Sequence, residues 1–550
     1  MDRRTFHKSL LSVALASLGQ GALGAKSPVD QDALTVLNRL TYGATPDTLK
    51  TFKTLGLEEW LTQELNRPLE DPAFQERLNN ATMLIEYEDG ETGEGAPWTA
   101  LSEVRGYTSL YTDPKDLLVF LDFTKGISWE ERTRATNEVI SASLMRAVHG
   151  QNQLREVMTQ FWHEHFSVNA LKDEATAIYF PQYDQMMRKN ALGNFRELLG
   201  ETARAPVMLT YLNNEASQAS PANENYAREL LELHTLGAEH YFNDLYDDWK
   251  KVPGATTGNA TGYIDQDVYE VARAFTGWTI GDGRYLAEES YAPETGRFHY
   301  VESWHDPYQK RILGHEFRPN SAKMEDGERV LDLLAAHPGT ARFVTRKMLR
   351  RLGIERPSAD YHKKIIATFL DTRDAPDQIA QVVRAIVLHP EFLATPPQKL
   401  KRPFEYLASL YRTTGAELNS PRYSVYWWLE RAGWTQHRVR PPTGHSDASE
   451  SWSNTRALNG MVDLAVYAHD DWFDVADIEI ETAHDRSITW GKWAEAWSLR
   501  FGSDTAASLA ALEMIGADPN GPLTDDPGYL GFGNYTAIAL NALSKEFLFR

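Results

Sequence analysis

Two short stretches hold the side-chain types that chemistry needs. Residues 161–166 read Phe-Trp-His-Glu-His-Phe, and residues 223–237 read Asn-Glu-Asn-Tyr-Ala-Arg-Glu-Leu-Leu-Glu-Leu-His-Thr-Leu-Gly. At about 100° per residue, His163 and His165 leave a regular helix on nearly opposite sides. One ion could take both only if the helix ends there, as Ser167, Val168 and Asn169 suggest. The pair is not the His-Glu-x-x-His zinc motif, whose imidazoles lie a full turn apart. In the second stretch, helical spacing puts Asn225, Glu229 and Glu232 in one arc with Arg228 at its edge, while His234 points elsewhere. Carboxylates with imidazoles suit zinc, iron or manganese, and a hydrolytic site would use such a divalent metal to activate water. The competing reading is structural: Phe161, Trp162 and Phe166 fill the core, the imidazoles bond to backbone or acids, and Glu224 pairs with Arg228 on a solvated face.

Other motifs add candidates. Glu270 and Arg273 lie on a helix stopped by Gly277, and Arg273, like Arg228, could stabilise developing charge beside a general-base Glu229 or Glu232. His305-Asp306 sets an imidazole beside a carboxylate, a pair that can ligate a metal or relay a proton. His337-Pro338 and His389-Pro390 read as turns or caps. No Gly-x-Ser-x-Gly elbow, Walker loop or dinucleotide fingerprint occurs, so serine hydrolase and nucleotide-binding readings lack support.

Helices must position these groups. Helical periodicity recurs over 32–40, a Thr45-Pro46 start that Gly56 closes, 57–66, 130–149, 153–166, 181–189, 225–236, 265–276, 327–352, 361–372, 376–388, 403–413 and 505–515. Strand alternation is scarce, which predicts a mainly α protein with long polar loops. Residues 86–96 and 238–262 read as irregular surface insertions. A chain of 550 residues implies one large or two fused domains, and no internal repeat is visible. The net charge of −21 argues against a nucleic-acid partner, because such proteins present basic surface to phosphates.

Residues 1–25 read as an address. Arg3-Arg4-Thr5-Phe6-His7-Lys8 followed by a mildly apolar run to Leu23 fits a twin-arginine (Tat) signal, with a cleavage site near Ala22 to Ala25. A Sec signal with a chance arginine pair is the alternative. Either predicts a periplasmic or secreted protein. No run is long and apolar enough to act as a transmembrane anchor. With no cysteine, the chain has no disulfides, thiolate metal sites or iron–sulfur clusters.

Leu37-Asn38-Arg39-Leu40-Thr41-Tyr42-Gly43, the 161–166 and 223–237 motifs, and the stretches 263–278, 305–314, 337–347 and 441–452 together resemble successive landmarks of one bacterial family, domain of unknown function 1800. The resemblance spans 32 to 550, which makes that range a single family domain. It implies an exported helical protein and, by analogy with family neighbourhoods, an exported protein partner. Members tolerate Phe at the position of His234, which weakens it as an obligate ligand, and usually carry Asn at that of Glu164, which is then not the essential acid. His163, His165, Asn225, Arg228, Glu229, Arg273, His305 and Asp306 survive the transfer, and 238–262 is longer than the usual link. Two functions follow as expectations. One is a metal-assisted hydrolase acting on an extracellular substrate; the other is a non-catalytic envelope binding or assembly protein whose polar motifs are structural. An enzyme brings His163 or His165 and a glutamate together in an accessible pocket, whereas a scaffold buries and pairs them.

Overall fold

In the computed structural model the described residues are 28–287, 290–419, 423–475, 488–523 and 527–550. The expected 1–25 signal lies outside them. Among the described residues helices dominate and strands occur only in two-stranded antiparallel pairs, so the mainly α expectation holds. No helix there is long and apolar enough to cross a membrane.

Local chemistry explains most boundaries. The Thr45-Pro46 pair opens its helix through a capping box, in which the Thr45 and Thr48 side chains satisfy each other's backbone N–H. Gly56 sits at φ 77°, a left-handed value open to glycine, and breaks the Pro46–Leu65 run into two segments as the sequence indicates. His337 and Pro338 divide the expected 327–352 helix into Glu325–Ala335 and Pro338–Arg351. The His337 Nδ1 accepts the Gly339 N–H at 2.9 Å and caps the second of these. Pro181, expected to open a helix, instead lies inside Glu174–Asn190.

One hydrophobic core runs continuously from Ala33 to Leu548. The Pro403–Thr414 helix passes through it with every residue buried. Trp162, Trp278, Trp434, Trp493 and Trp497 are fully enclosed, and burying a large apolar side chain stabilises by roughly 1.5–3 kcal/mol. Most of these indoles also keep their polar handle: Trp162 donates to the Ala191 carbonyl at 3.0 Å, and Trp493 and Trp497 share the Asn534 Oδ1 at 3.0 and 3.2 Å.

Both expected insertions prove more ordered than their composition indicates. Residues 86–96 belong to a hairpin in which Thr82–Tyr87 pairs with Leu101–Gly106, closed by a smaller pairing of Gly90–Glu91 with Pro97–Trp98. Residues 238–262 form a series of single 3-10 turns that bury Val252, Ala255 and Ala260. This segment pairs Tyr241 with Tyr263 and forms one wall of a cavity. Turn-by-turn backbone bonds leave no hydrophobic period, so the order comes from tertiary contacts.

Candidate functional site

The Gln153–His165 helix ends at Phe166, and there the two imidazoles part company. His163 turns to a buried acid: its Nε2–H donates to Asp184 Oδ1 at 3.1 Å. Asp184 also receives Arg188 at 2.7 Å and faces Arg146 at 3.5 Å, and Arg188 continues to Glu156 at 2.8 and 3.1 Å. Burial opposes ionisation of Asp184, yet Arg188, His163 and Arg146 outweigh it and hold the carboxyl well below the usual range. The His437 ring lies 4.5 Å from that of His163, with its Nε2 accepting from the Gln436 side chain at 2.9 Å. These groups enclose a cavity of about 10 Å³, room for about one water.

His165 faces the opposite way. Its Nε2–H donates to the His234 carbonyl at 3.0 Å, and its Nδ1 accepts from the Lys347 ammonium at 2.8 Å. Both ring nitrogens are therefore used, and burial together with Lys347 keeps the imidazole neutral. Burial brings the Lys347 amine down to about 8. His234 itself is a core ring packed edge-on to Phe166 at 5.1 Å, with no hydrogen bond at either nitrogen, and burial lowers it to about 3.

The second stretch departs from regular helical phase. Glu224–Glu229 is α-helical, but Leu230–Thr235 is a π-helix, in which Thr235 Oγ1 donates to the Leu230 carbonyl at 2.6 Å and Leu236 N to that of Leu231 at 2.9 Å. The wider turn resets the direction of every side chain after Leu230. Asn225 precedes the wider turn, and its amide donates to the Leu212 carbonyl at 3.2 Å. Arg228 is drawn to Glu224 at 3.6 Å and Asp265 at 3.5 Å and lies 6.0 Å from the Tyr241 ring. Glu229 and Glu232 stay half-buried, with no hydrogen bond or ion pair to another described residue. Partial burial, with the neighbouring Glu232, raises the Glu229 carboxyl against the pull of Arg228. Near them the buried Tyr263 hydroxyl has no hydrogen-bond partner.

His305 and Asp306 belong to a third network. Asp306 takes Arg273 through both oxygens, at 2.7 and 3.0 Å, and Arg273 also pairs with Glu270 at 2.5 Å. Arg273, the Tyr308 N–H and Lys310 outweigh burial and depress the Asp306 carboxyl. His305 Nε2 lies 3.4 Å from Asp326, which also receives the fully buried Lys310 at 2.7 Å. The expected metal ligands His163, His165, His305 and Asp306 are thus distributed over three separate networks. Among the described residues, no group of three or more His, Cys, Asp or Glu is placed to hold a metal ion. The residues present do not fit a divalent metal, because hydrogen bonds and ion pairs already occupy most of their lone pairs.

A larger open space lies elsewhere. A cavity of about 770 Å³ is bounded by residues of the 238–262 segment, the hairpin of Lys310–Ile312 with His315–Phe317, and the two helices that meet at His337. The neutral His337 fixes this wall, since its Nε2–H donates to the Ala260 carbonyl at 2.7 Å while its Nδ1 caps the helix. Gly314, at φ 79°, lets the hairpin turn approach Ala255, where an added Cβ would come within 2.2 Å of the Ala255 carbonyl oxygen. His240, His315, Arg329, Arg342 and Arg346 reach this cavity. Little in the spacing marks them, since His240 lies in a turn, His315 on a short strand, Arg329 on an acidic helix and Arg342 and Arg346 on a basic one. Asp184 and Arg188 were legible only as an i,i+4 pair.

Fold and site together define a large helical protein whose polar motifs are tied into buried networks beside an open cavity. The chain belongs to the family described as Protein of unknown function (DUF1800), which matches residues 35–522. No curated protein and no solved structure matches it.

Proposed function

We propose that this is an exported binding protein that takes a ligand into the cavity beside 238–262 and uses its histidine and arginine motifs to hold its helices in place. The observation that carries this is the pairing state of His163, His165, Arg273, His305 and Asp306. Each is engaged by a partner within the fold, and none of them lines the open cavity. Export rests on the Arg3-Arg4 address. The test is native mass spectrometry of untagged protein, with a retained small molecule as the expected result. A stoichiometric metal that disappears in His163→Ala would overturn the reading in favour of a metalloenzyme.

A second reading has one observation of its own. Glu229 and Glu232 are the members of the predicted site left without partners, and the raised Glu229 carboxyl suits a general acid or base. Turnover of any ester, phosphodiester or glycoside that is lost in folded Glu229→Gln would establish a hydrolase. The same variant has a stability signature. Because the folded carboxyl titrates above its unfolded value, the ionised group opposes folding once pH rises past about 4.3. Glu229→Gln is therefore expected to gain a few tenths of a kcal/mol at neutral pH, and to lose that gain in acid, as thermal melts across pH would show.

A further inference from the structure

The cavity beside 238–262 has a definite chemical character. Its walls include Phe242, Leu313, Leu333, Ala336 and Pro338, so most of a bound molecule would meet hydrocarbon. Its charges are three arginines, Arg329, Arg342 and Arg346, against two acids, Glu239 and Asp332. Both acids are spoken for: Glu239 pairs with Arg346, and Asp332 receives Arg196 at 2.7 Å. Arg329 donates to the Glu316 carbonyl at 2.9 Å and lies 4.2 Å from the Phe317 ring. Arg342 is different, since its guanidinium has neither a hydrogen bond nor an ion pair to any described residue. It projects from the first turns of the Pro338–Arg351 helix, whose N-terminus adds positive potential at the same place.

Two imidazoles complete the lining. His240 donates through Nδ1 to the Leu236 carbonyl at 2.8 Å, which leaves its Nε2 available. His315 has no hydrogen-bond partner among the described residues, and its ring lies against Gly258.

We infer that the cavity binds an organic carboxylate with an apolar or aromatic body, its head held by Arg342 and its body against Phe242, Leu313 and Leu333. A guanidinium presents paired N–H donors that match the two oxygens of a carboxylate. Arg342 is exposed, so water screens this contact, and it is the paired geometry of the head together with the apolar wall against the body that sets the preference. A cationic ligand would instead meet an unpaired guanidinium. This inference rests on the binding-protein reading and names its ligand class.

The experiment uses the whole protein and three probes with one body, naphthylacetate, naphthylethanol and naphthylethylamine, each titrated calorimetrically. The carboxylate is expected to bind at least about tenfold more tightly than the alcohol, with the amine weakest. Arg342→Gln should remove that preference while leaving the alcohol unchanged, and Arg342→Lys should keep part of it. Leu333→Trp, which fills the body site, should weaken carboxylate and alcohol alike. Equal binding of carboxylate and alcohol to the unmodified protein would overturn the anion inference and leave a binding cavity. Failure of all three probes to bind would overturn both this inference and the cavity's role in the proposed function.

Discussion

Replacing Asp184 by Asn is expected to cost about 3–5 kcal/mol of folding stability at neutral pH. The carboxylate is buried and takes His163, Arg188 and Arg146 together, so the variant loses the charge, and the single amide oxygen left cannot serve an imidazole and two guanidiniums. Glu156 still holds Arg188, which keeps the loss from growing larger. The pH dependence follows from the depressed carboxyl. The stabilisation is fully present above the unfolded value of about 3.9 and is lost as pH falls through the lower folded value, so wild type and variant converge only in strong acid. Urea unfolding followed by circular dichroism at neutral and acid pH measures both the size and the slope. A loss under about 0.5 kcal/mol would mean that the His163 network is a surface-like ion pair, contrary to its burial. His163→Ala removes one donor and leaves both arginines on Asp184, so it should cost less than Asp184→Asn.

Glu405→Gln should be at least as damaging. Glu405 is buried and accepts from Arg351, from Arg402 at 3.1 Å and from Arg550 at 2.9 Å, and its second oxygen takes the Arg402 N–H at 3.1 Å in a capping box. Asp447 is the other acid of the cluster, taking Lys399 and lying 3.5 Å from Arg402. Four cations, Arg351, Lys399, Arg402 and Arg550, thus share two carboxylates, and Lys401 is buried nearby over the Phe547 ring. Burial relieves part of the excess by lowering Lys399 and Lys401 to about 7. An amine whose folded value lies below its unfolded one opposes folding in full below the folded value, and the penalty declines as pH rises from there to the unfolded value of about 10.4. Without Glu405 the repulsion among the remaining cations grows, so the expected loss of about 3–5 kcal/mol should be larger at about pH 6 than at about pH 8.5. Thermal unfolding at the two pH values reads this directly. A deficit independent of pH would show that the lysines are not part of the charge balance. The same cluster joins the bridge between Leu400 and Phe549 to the buried Pro403–Thr414 helix, so its failure should loosen the late helices as a group.

The sequence by itself determined the helical class, the end of the helix near Phe166, the helix start at Thr45 and the break at Gly56. Each follows from neighbours a turn apart, where period, cap and glycine act locally. The motif set also pointed to the family before any fold was known. Local rules failed where the backbone left its regular path. The π-helix at Leu230–Thr235 invalidated the 100° phase that had placed Glu232 with Asn225 and Glu229, and nothing in a run of Leu, Glu and His announces that wider turn. Tertiary structure alone decided which partner each titratable group would have. His163 met Asp184 across 21 residues, His165 met Lys347 across 182, and both pairings arise from helix packing that no spacing encodes. The same holds for the cavity. Its Arg342 looks like any residue of a basic helix, and it matters only because the fold pairs most of the charges around it and leaves this one open.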